Sequence, residues 1–303
     1  MANDSDIIAT SVSEFYARIE ELQAEGYRLD MISPADAPRI AELSRGGERI
    51  RLTAEGSLEP GSESEGRAGM LYRDLVPDRL DGRLIASHIT LLEPGPVPDY
   101  VHHHDVDFQI IFVRSGRVKV VYEDQGEPFW MEPGDCVLQP PGIRHRVLET
   151  DGRLEVIEVT SPAEHPTYIE HEHTLPTTEH NPDRIFDGQR FFFDRRADAV
   201  AEVHDDGWSI RETGIATASN GAGGIRVLTA IGTTGPHQGS AGPGHRVLVC
   251  LAGEVTVETQ DVSQRLEAGG AISLEPEIEW VLSEPAPNSE ALDVILNLGQ
   301  APP

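Results

Sequence analysis

The chain has 303 residues, which is long enough for two domains of ordinary size, and 38% of them are hydrophobic, which is enough to build cores. Its 24 basic and 52 acidic residues give a formal net charge of −28. A surface this negative repels phosphate backbones and anionic lipid, so the composition argues against nucleic acid and membranes as partners.

Residues 1–68 are predicted to form a helical segment followed by a mobile loop. Ser11 and Glu14 have the spacing of a capping box, and apolar residues recur at helical intervals after them, which predicts a helix over residues 12–24. Residues 55–67 (EGSLEPGSESEGR) are rich in glycine, serine and glutamate. This composition is typical of a mobile loop.

The rest of the chain is β-rich in two stretches. Residues 69–161 consist of short runs such as FQIIFV and RVKVVY, separated by turn residues such as PGD and PPG. Residues 162–200 are polar and turn-rich, and we interpret them as a connector to a second β-rich stretch over residues 201–303. Many short strands at this spacing predict an all-β fold built from sandwiches or barrels.

The cysteine usage and the hydropathy of the chain predict a cytoplasmic protein. Cys136 and Cys250 lie in separate apolar runs and in different predicted domains, so we expect no disulfide framework, as in a reducing compartment. No apolar run approaches the ~18 residues that a membrane span needs. The first residues also lack the basic and apolar regions of a signal peptide.

The two β-rich stretches repeat each other. Residues 113–121 (VRSGRVKVV) match residues 250–258 (CLAGEVTVE). Residues 132–145 (EPGDCVLQPPGIRH) align without gaps with residues 267–280 (EAGGAISLEPEIEW). Such matching indicates a duplicated β-barrel.

Residues in the first stretch have the types and the spacing of two metal-binding motifs. A triplet of histidines is followed by a glutamine and a glycine turn, and a second glycine turn is followed by a PPG turn and a further histidine. These positions are His102, His103, His104, Gln109, Gly116, Gly134, Pro140, Pro141, Gly142 and His145. They closely resemble the two signature motifs of the cupin superfamily, in order and at the right separation.

The resemblance covers residues 83–160 strongly and residues 224–296 weakly. It implies two tandem jelly-roll barrels preceded by an N-terminal helical segment, with one divalent metal ion in the first barrel. The chain departs from the family pattern at Gln109, where cupins usually have a glutamate. The resulting three-histidine arrangement is similar to that of ring-cleaving dioxygenases of the gentisate dioxygenase type.

The chemistry of these residues supports a metal site independently. Side chains two residues apart on a strand face the same side, so His102 and His104 point together and His103 points away. The PPG turn can present His145 at the start of the next strand. Three buried imidazoles are costly unless a cation coordinates them, and Fe, Mn, Co, Ni, Cu and Zn all suit imidazole. Gln109 either binds the metal weakly through its amide oxygen or withdraws from it.

The leading functional hypothesis is a non-haem Fe(II) dioxygenase that acts on a small oxygenated substrate, aromatic substrates included. A site without a carboxylate ligand keeps more positive charge on the metal, which favours anionic substrates. The candidate catalytic residues are Tyr100, Gln109 and Arg144, with Gln139 as a further residue around the metal. Arg144 either pairs with a substrate carboxylate or forms a surface salt bridge near Glu132 or Asp135.

Other functions and assembly states are left open. A metal-dependent isomerase or lyase would use the metal as a Lewis acid only, and a non-catalytic bicupin would bind a small molecule without turnover. Because open sheet edges tend to associate, we expect a homodimer, with a monomer built like a fused dimer as the alternative.

The second copy lacks the metal ligands. The positions equivalent to the four candidate ligands are Gly239, Ala241, Arg246 and Trp280. We therefore expect the second barrel to serve folding, dimerisation or shaping of the entrance. The alternative is that Arg246 and Trp280 line a metal-free pocket for an anionic or aromatic ligand. His171 and His173 repeat the HxH spacing in the connector, but glutamates flank them and we interpret them as surface residues.

Overall fold

The computed structural model describes residues 6–11, 14–55, 63–231, 235–239 and 242–298. In these residues the strands form four large sheets and one two-stranded ribbon. The helical elements are α1 (Phe15–Ala24), α2 (Arg79–Gly82), α3 (Ile215–Ala218) and the 3₁₀ turns Arg67–Gly69 and Arg196–Asp198. No helix in the described ranges is long and apolar enough to cross a membrane.

Two sheets form what we call the N-terminal sandwich. The strands of its ten-stranded sheet are β1 (Asp6–Ser11), β2 (Arg28–Ser33), β3 (Ile40–Arg45), β4 (Glu48–Glu55), β8 (Gly95–Pro96), β9 (His102–His104), β11 (Val118–Tyr122), β12 (Phe129–Met131), β14 (His145–Thr150) and β16 (Thr167–Ile169). The strands of its seven-stranded sheet are β5 (Glu63–Glu65), β6 (Leu71–Asp74), β7 (Ile85–Leu91), β10 (Phe108–Ser115), β13 (Cys136–Leu138), β15 (Leu154–Ser161) and β19 (Phe192–Asp194). The ribbon consists of β17 (Ile185–Phe186) and β18 (Gln189–Arg190).

The other two sheets form the C-terminal sandwich. The strands of its six-stranded sheet are β20 (Glu202–Val203), β21 (Trp208–Glu212), β22 (Gly223–Ala230), β24 (His245–Ala252), β27 (Ala271–Leu274) and β29 (Glu290–Leu296). The strands of its four-stranded sheet are β23 (His237–Gly239), β25 (Glu254–Glu258), β26 (Ser263–Glu267) and β28 (Trp280–Ser283).

Three apolar cores bind the four sheets into a stack. One core fills the N-terminal sandwich and contains Val120 and Val156, and another fills the C-terminal sandwich and contains Leu248 and Trp280. A third core joins the two sandwiches, because the seven-stranded and six-stranded sheets bury their outer faces against each other. In β10 both faces are therefore largely buried, which explains the apolar run of residues 110–113 (IIFV) within it.

The N-terminal part of the chain is mainly β, which corrects the prediction of a helical segment and loop over residues 1–68. A helix is present at Phe15–Ala24, and it buries its apolar stripe of Phe15, Ile19 and Leu22. Three strands follow it, and β2 joins the ten-stranded sheet by pairing with β16. Of the predicted mobile loop, residues 56–62 lie outside the described residues, and Glu63–Glu65 forms β5.

Matching glycine turns mark the internal repeat. Gly116, between β10 and β11, has φ +77°, and a Cβ added there would clash with the backbone of Arg153. Gly253 holds the equivalent place between β24 and β25, with φ +68° and Ser289 against it. Only glycine fits such a left-handed, crowded turn without strain. The two cysteines are buried and free, one in each sandwich.

Candidate metal centre

Two neighbouring strands bring the three predicted histidine ligands together. β9 and β14 are antiparallel, and His102 lies directly opposite His145. His104 shares a face with His102 because side chains alternate along a strand. All three are at most 5% exposed, and one ring nitrogen from each lies within 4.8 Å of the others. This group could hold a metal ion. His103 points away and stacks on Tyr168.

The Nδ1 nitrogen of each imidazole lies within hydrogen-bonding distance of a neighbouring polar group. A backbone carbonyl can only accept, so the Nδ1 atoms of His102 and His145 carry the proton and leave the Nε2 atoms as acceptors. The contacts are His102 Nδ1 to Tyr100 O at 2.8 Å, His145 Nδ1 to Ile143 O at 3.0 Å and His104 Nδ1 to Thr167 Oγ1 at 3.0 Å. The Nε2 atom of His102 is buried without a hydrogen-bond partner in the described part of the chain. These residues therefore fit a divalent metal bound through Nε2.

Burial keeps the three imidazoles neutral. Desolvation is the largest influence that lowers the pKa values of His102, His104 and His145 well below the ordinary 6.5. Neighbouring imidazoles lower the pKa values of His104 and His145 further, and Arg67 lowers that of His102. A metal needs the unprotonated ring, so protons do not compete for this site near neutral pH.

The site opens on a cavity inside the N-terminal sandwich. The volume of the cavity that the centres of water molecules can occupy is about 70 Å³. This is room for several waters or a small organic molecule. Its wall is mostly apolar and includes Met70, Ile89, Leu91, Val118, Val120 and Val156. The charged, amide and imidazole side chains on the wall are Arg67, His104, Gln109, Gln139, His145 and Glu158. Such a wall suits a ligand with an apolar body and one or two polar groups.

Gln109 lies on the cavity wall with its amide nitrogen bound to a carboxylate. Its Nε2 donates to Glu158 Oε1 at 2.6 Å, and Glu158 also accepts from Thr160 Oγ1 at 3.1 Å. A carboxylate accepts but does not donate, so the nitrogen end of the amide must face Glu158. The sequence predicts Gln109 as a weak fourth ligand, and only its amide oxygen is left to act in that way.

The Gln139 side chain forms a hydrogen bond with the imidazole of His145. Its Nε2 lies 2.8 Å from Nε2 of His145. Because His145 already donates through Nδ1, the Gln139 amide donates to the Nε2 lone pair, which is the one a metal would take. Metal binding therefore requires the Gln139 amide to turn away from His145.

Two predicted catalytic residues, Tyr100 and Arg144, are not among the residues that line this cavity. The Tyr100 ring packs against the core around α1, and Tyr100 serves the site through its carbonyl oxygen instead. Arg144 is ion-paired with Glu123 Oε1 at 3.1 Å and with Glu170 Oε1 at 2.9 Å. The acids that neutralise Arg144 are therefore neither Glu132 nor Asp135.

Arg67 is a cavity residue that the sequence analysis assigns to a mobile loop. Its Nη1 lies 2.5 Å from Asp99 Oδ1, and its buried Nε has no hydrogen-bond partner among the residues described. Burial alone would lower the pKa of Arg67, but Asp99 and Tyr72 outweigh it and the pKa is raised. Arg67 therefore presents a permanent positive charge to the cavity. Nothing in the Gly/Ser/Glu-rich sequence around it marks this role.

Glu158 and His165 are also absent from the sequence predictions. Glu158 lies on the same face of β15 as Leu154 and Val156, which face the core, so the two-residue period of that strand is the signal that could have found it. His165 comes from the predicted connector, and its ring centroid lies 5.5 Å from that of His104. The Nδ1 atom of His165 contacts Pro162 O at 3.0 Å, and its Nε2 is buried without a partner among the described residues.

The equivalent positions of the C-terminal sandwich are filled by other side chains. Gly239 lies opposite Trp280, and a Cβ added to Gly239 would clash with the Trp280 ring. Arg246 forms an ion pair with Asp293 at 2.7 Å. Trp280 and Arg246 are thus both buried, and the Arg246 guanidinium lies 5.4 Å from the centre of the Trp280 ring. Ala241 lies outside the described residues.

Comparisons with known proteins agree with the geometry of this site. The family described as "Cupin domain" matches residues 88–160, which contain the three histidines. No curated protein sequence matches the chain significantly.

Several solved structures share the fold. A glyoxylate-induced protein from Pseudomonas aeruginosa is 16% identical with a TM-score of 0.55, over 82% of this chain and 86% of that one. The oxalate decarboxylase of Lactobacillus farciminis is 12% identical with a TM-score of 0.61, over 81% and 88%. The salicylate 1,2-dioxygenase of Pseudaminobacter salicylatoxidans is 15% identical with a TM-score of 0.54, over 74% and 75%. At these identities the similarity shows the fold alone.

Proposed function

Since residues 88–160 match the cupin domain family, we propose that the chain is a metal-dependent enzyme whose N-terminal sandwich oxygenates a small anionic substrate with an apolar body. Fe(II) is the favoured metal, and Mn, Ni, Co, Cu and Zn also suit the imidazole donors. The observation that carries the proposal is that a cluster of three neutral imidazoles places two of them, His104 and His145, on a largely apolar cavity wall that also carries the buried Arg67.

The residues of the cavity have separate roles in this proposal. His102, His104 and His145 hold the metal, and the chemistry that a bound ferrous ion supplies is the activation of dioxygen beside the substrate. Arg67 binds the anionic group of the substrate, because its charge is permanent and its Nε is still without a partner in the described structure. The apolar wall holds the body of the substrate and excludes water.

The charge of the site favours anionic chelating substrates. The three imidazoles are neutral and Gln109 is a neutral amide, so a divalent metal keeps the positive charge that a glutamate ligand would reduce. Catecholates, hydroxybenzoates, β-diketonates and 2-oxo acids match this charge. The apolar wall favours those with a ring or an alkyl body over a compact dianion such as oxalate.

A metal-dependent isomerase or lyase is the second candidate function, and Glu158 is the observation that favours it. A carboxylate on the wall of the cavity can take a proton from a bound substrate. In such an enzyme the metal acts only as a Lewis acid, and dioxygen is not consumed.

The test begins with protein purified without a histidine tag and analysed for its metal content. The metal-free protein is then loaded separately with Fe(II), Mn(II), Ni(II) and Zn(II), and oxygen uptake is followed with a panel of the four substrate classes and oxalate. His104→Ala serves as the variant without a complete site, and Arg67→Met removes the anion-binding charge while keeping side-chain length.

We expect oxygen uptake with Fe(II) in proportion to substrate consumed, no uptake with His104→Ala, and a KM raised at least about tenfold by Arg67→Met, the loss of one charge-assisted contact. Substrate turnover without oxygen uptake would favour the isomerase or lyase. Wild-type protein that binds none of these metals would refute both proposals.

A further inference from the structure

An acidic residue occupies the same place in both sandwiches. In the N-terminal sandwich Glu158 bonds Gln109, and in the C-terminal sandwich Asp293 bonds Arg246. The strand registers make the two acids equivalent, because each acid lies two residues before the residue that pairs directly with Gln109 or with Arg246. The duplicated fold thus keeps an inward-facing carboxylate beside the same neighbouring position.

The acid of the C-terminal sandwich is surrounded by positive charge. Arg246 Nη1 lies 2.8 Å from Asp293 Oδ1 and 2.7 Å from Oδ2, and Arg226 Nε lies 3.0 Å from Oδ2. Asp293 itself is fully buried. Two guanidinium groups therefore more than neutralise one carboxylate, so the buried negative charge is paired and hydrogen-bonded.

The acid of the N-terminal sandwich has lost both of these cations. Gln109 takes the place of one arginine, and Ser87 lies opposite Glu158 at the register position of Arg226. No arginine, lysine or histidine nitrogen of the described residues lies within 4 Å of the Glu158 carboxylate, and its two hydrogen-bond donors are the neutral groups of Gln109 and Thr160. Arg67, the other charged side chain on this wall, attracts Glu158 only through space, because its guanidinium is ion-paired with Asp99. A carboxylate kept on an apolar cavity wall without a paired cation needs another source of positive charge.

The proposed metal centre is that source. Glu158, His104 and His145 line the same cavity, and the three imidazoles leave the charge of a divalent ion unbalanced. Glu158 does not belong to the cluster of ligand atoms within 4.8 Å of one another, so it does not lie among the ligands themselves.

We infer that Glu158 is the counter-charge and positioning residue of the metal centre. Glu158, on the neighbouring strand, supplies the negative charge that a glutamate at position 109 would bring. It acts on the metal through space and through the Gln109 amide. By accepting from Nε2 it fixes that amide, so that the oxygen is the atom left to face a cation. This inference rests on the proposed metal centre and names the residue that tunes it.

The test measures the affinity of the purified full-length protein for Co(II) and Mn(II) by calorimetry and by competition with a chromophoric chelator. The visible spectrum of the Co(II) protein reports the ligand field. Glu158→Gln removes the charge, Thr160→Val removes the other hydrogen bond to Glu158 without removing charge, and the swap Gln109→Glu/Glu158→Gln returns the carboxylate to the neighbouring position.

We expect Glu158→Gln to weaken metal binding about 10- to 100-fold, as for other residues that orient ligands, and to shift the Co(II) spectrum. Thr160→Val should change the affinity by less than about threefold, and the swap should restore it to at least the wild-type value. The inference is overturned if Glu158→Gln stays within twofold of wild type with an unchanged Co(II) spectrum.

Circular dichroism and thermal unfolding show whether each variant is folded. If Glu158→Gln does not fold, the swap variant decides: wild-type or tighter affinity supports the inference, and a tenfold loss overturns it. Failure of the wild-type protein to bind either metal would instead refute the proposed function, so the two failures are distinguishable.

Discussion

The two sandwiches share a topology and differ at the positions that face the metal centre. In the N-terminal sandwich His102 lies opposite His145, and in the C-terminal sandwich Gly239 lies opposite Trp280. The indole ring fills the space next to Gly239, whereas the imidazoles of His104 and His145 border a cavity. One scaffold thus becomes a packed core in one copy and a candidate site in the other.

Volume and charge both contribute to this difference. Trp280 fills interior space in the C-terminal sandwich. The equivalent position of the N-terminal sandwich holds the smaller His145, which leaves room for a ligand. Arg246 and Arg226 neutralise Asp293, whereas Glu158 has no such partner in the described residues. The two sandwiches therefore differ in the charge beside this acid as well as in the candidate ligands, since the arginines that neutralise Asp293 have no counterpart within ion-pairing distance of Glu158 in the described residues.

Removal of one candidate ligand is the most direct test of the difference between the two sandwiches. His104→Ala should lower the metal affinity of the N-terminal sandwich at least about 100-fold, so that it binds as little metal as we expect of the C-terminal sandwich. The loss of one of three ligands should cost more affinity than the loss of a residue that only orients a ligand. Metal content and calorimetry measure this loss, and His171→Ala is the control because it has the same HxH spacing in a partly exposed position. Equal losses in the two variants would mean that the wrong histidines are chosen.

Truncation of the indole tests whether Trp280 is a structural filler. Trp280→Ala should lower the free energy of unfolding by about 3–5 kcal/mol, because it leaves a large cavity in a closed core, and it should leave the metal content unchanged. Urea unfolding gives the first quantity and elemental analysis the second. Trp130→Ala is the control, since Trp130 is partly exposed on β12 and should cost much less. A loss of metal in Trp280→Ala would contradict the division of roles between the sandwiches.

The two buried acids should differ in their importance for stability. Asp293→Asn leaves two arginines without their shared counter-charge and should cost about 3 kcal/mol of unfolding free energy. Glu158→Gln replaces a carboxylate that has only neutral partners, so the metal-free protein should change by less than about 1 kcal/mol. Urea unfolding of both variants without metal measures the contrast, and similar losses would show that Glu158 is an ordinary structural acid.

The cluster of three histidines could be predicted from the sequence because local geometry fixes it. The two-residue period of a strand places His102 and His104 on one face, and the PPG turn places His145 at the start of β14. The gap-free alignment of the repeats likewise gives the register that sets Trp280 in the place of His145. The sequence does not reveal the two acids that are ion-paired with Arg144, Glu123 and Glu170, because both are distant from it along the chain.

Features that depend on distant contacts could not be predicted in this way. Arg67 reaches the cavity through an ion pair with Asp99, which lies 32 residues further along the chain. β2 joins the ten-stranded sheet because β16 offers it an edge, next to the strand that carries the histidines. Residues 28–55 have only a weak strand pattern of their own, and an open sheet edge that needs a partner is not visible in a linear sequence.

A further expected effect is a pH dependence to which the three buried histidines of the N-terminal sandwich contribute, whereas Gly239 and Trp280 at the equivalent positions do not titrate. In the unfolded chain each histidine has a pKa near 6.5, whereas burial lowers the folded pKa values of His102, His104 and His145 well below that. Below about pH 6.5 the unfolded chain binds protons that the folded protein excludes. The free energy of unfolding of the metal-free protein should therefore fall with falling pH, by up to about 1.4 kcal/mol per pH unit for each of these histidines.

Urea unfolding of the metal-free protein between pH 7 and pH 5 measures this slope, and His145→Gln should reduce it by about the contribution of one proton, because glutamine keeps polarity and volume without titrating. His88, His103 and His245 also have lowered pKa values, so the difference between wild type and variant, and not the total slope, isolates the site. Trp280→Phe, at the equivalent position of the other sandwich, should leave the slope unchanged. An equal dependence of the unfolding free energy on pH in wild type and His145→Gln would mean that the His145 imidazole is protonated in the folded protein. A protonated imidazole cannot bind a metal ion, so this result would contradict the proposed site.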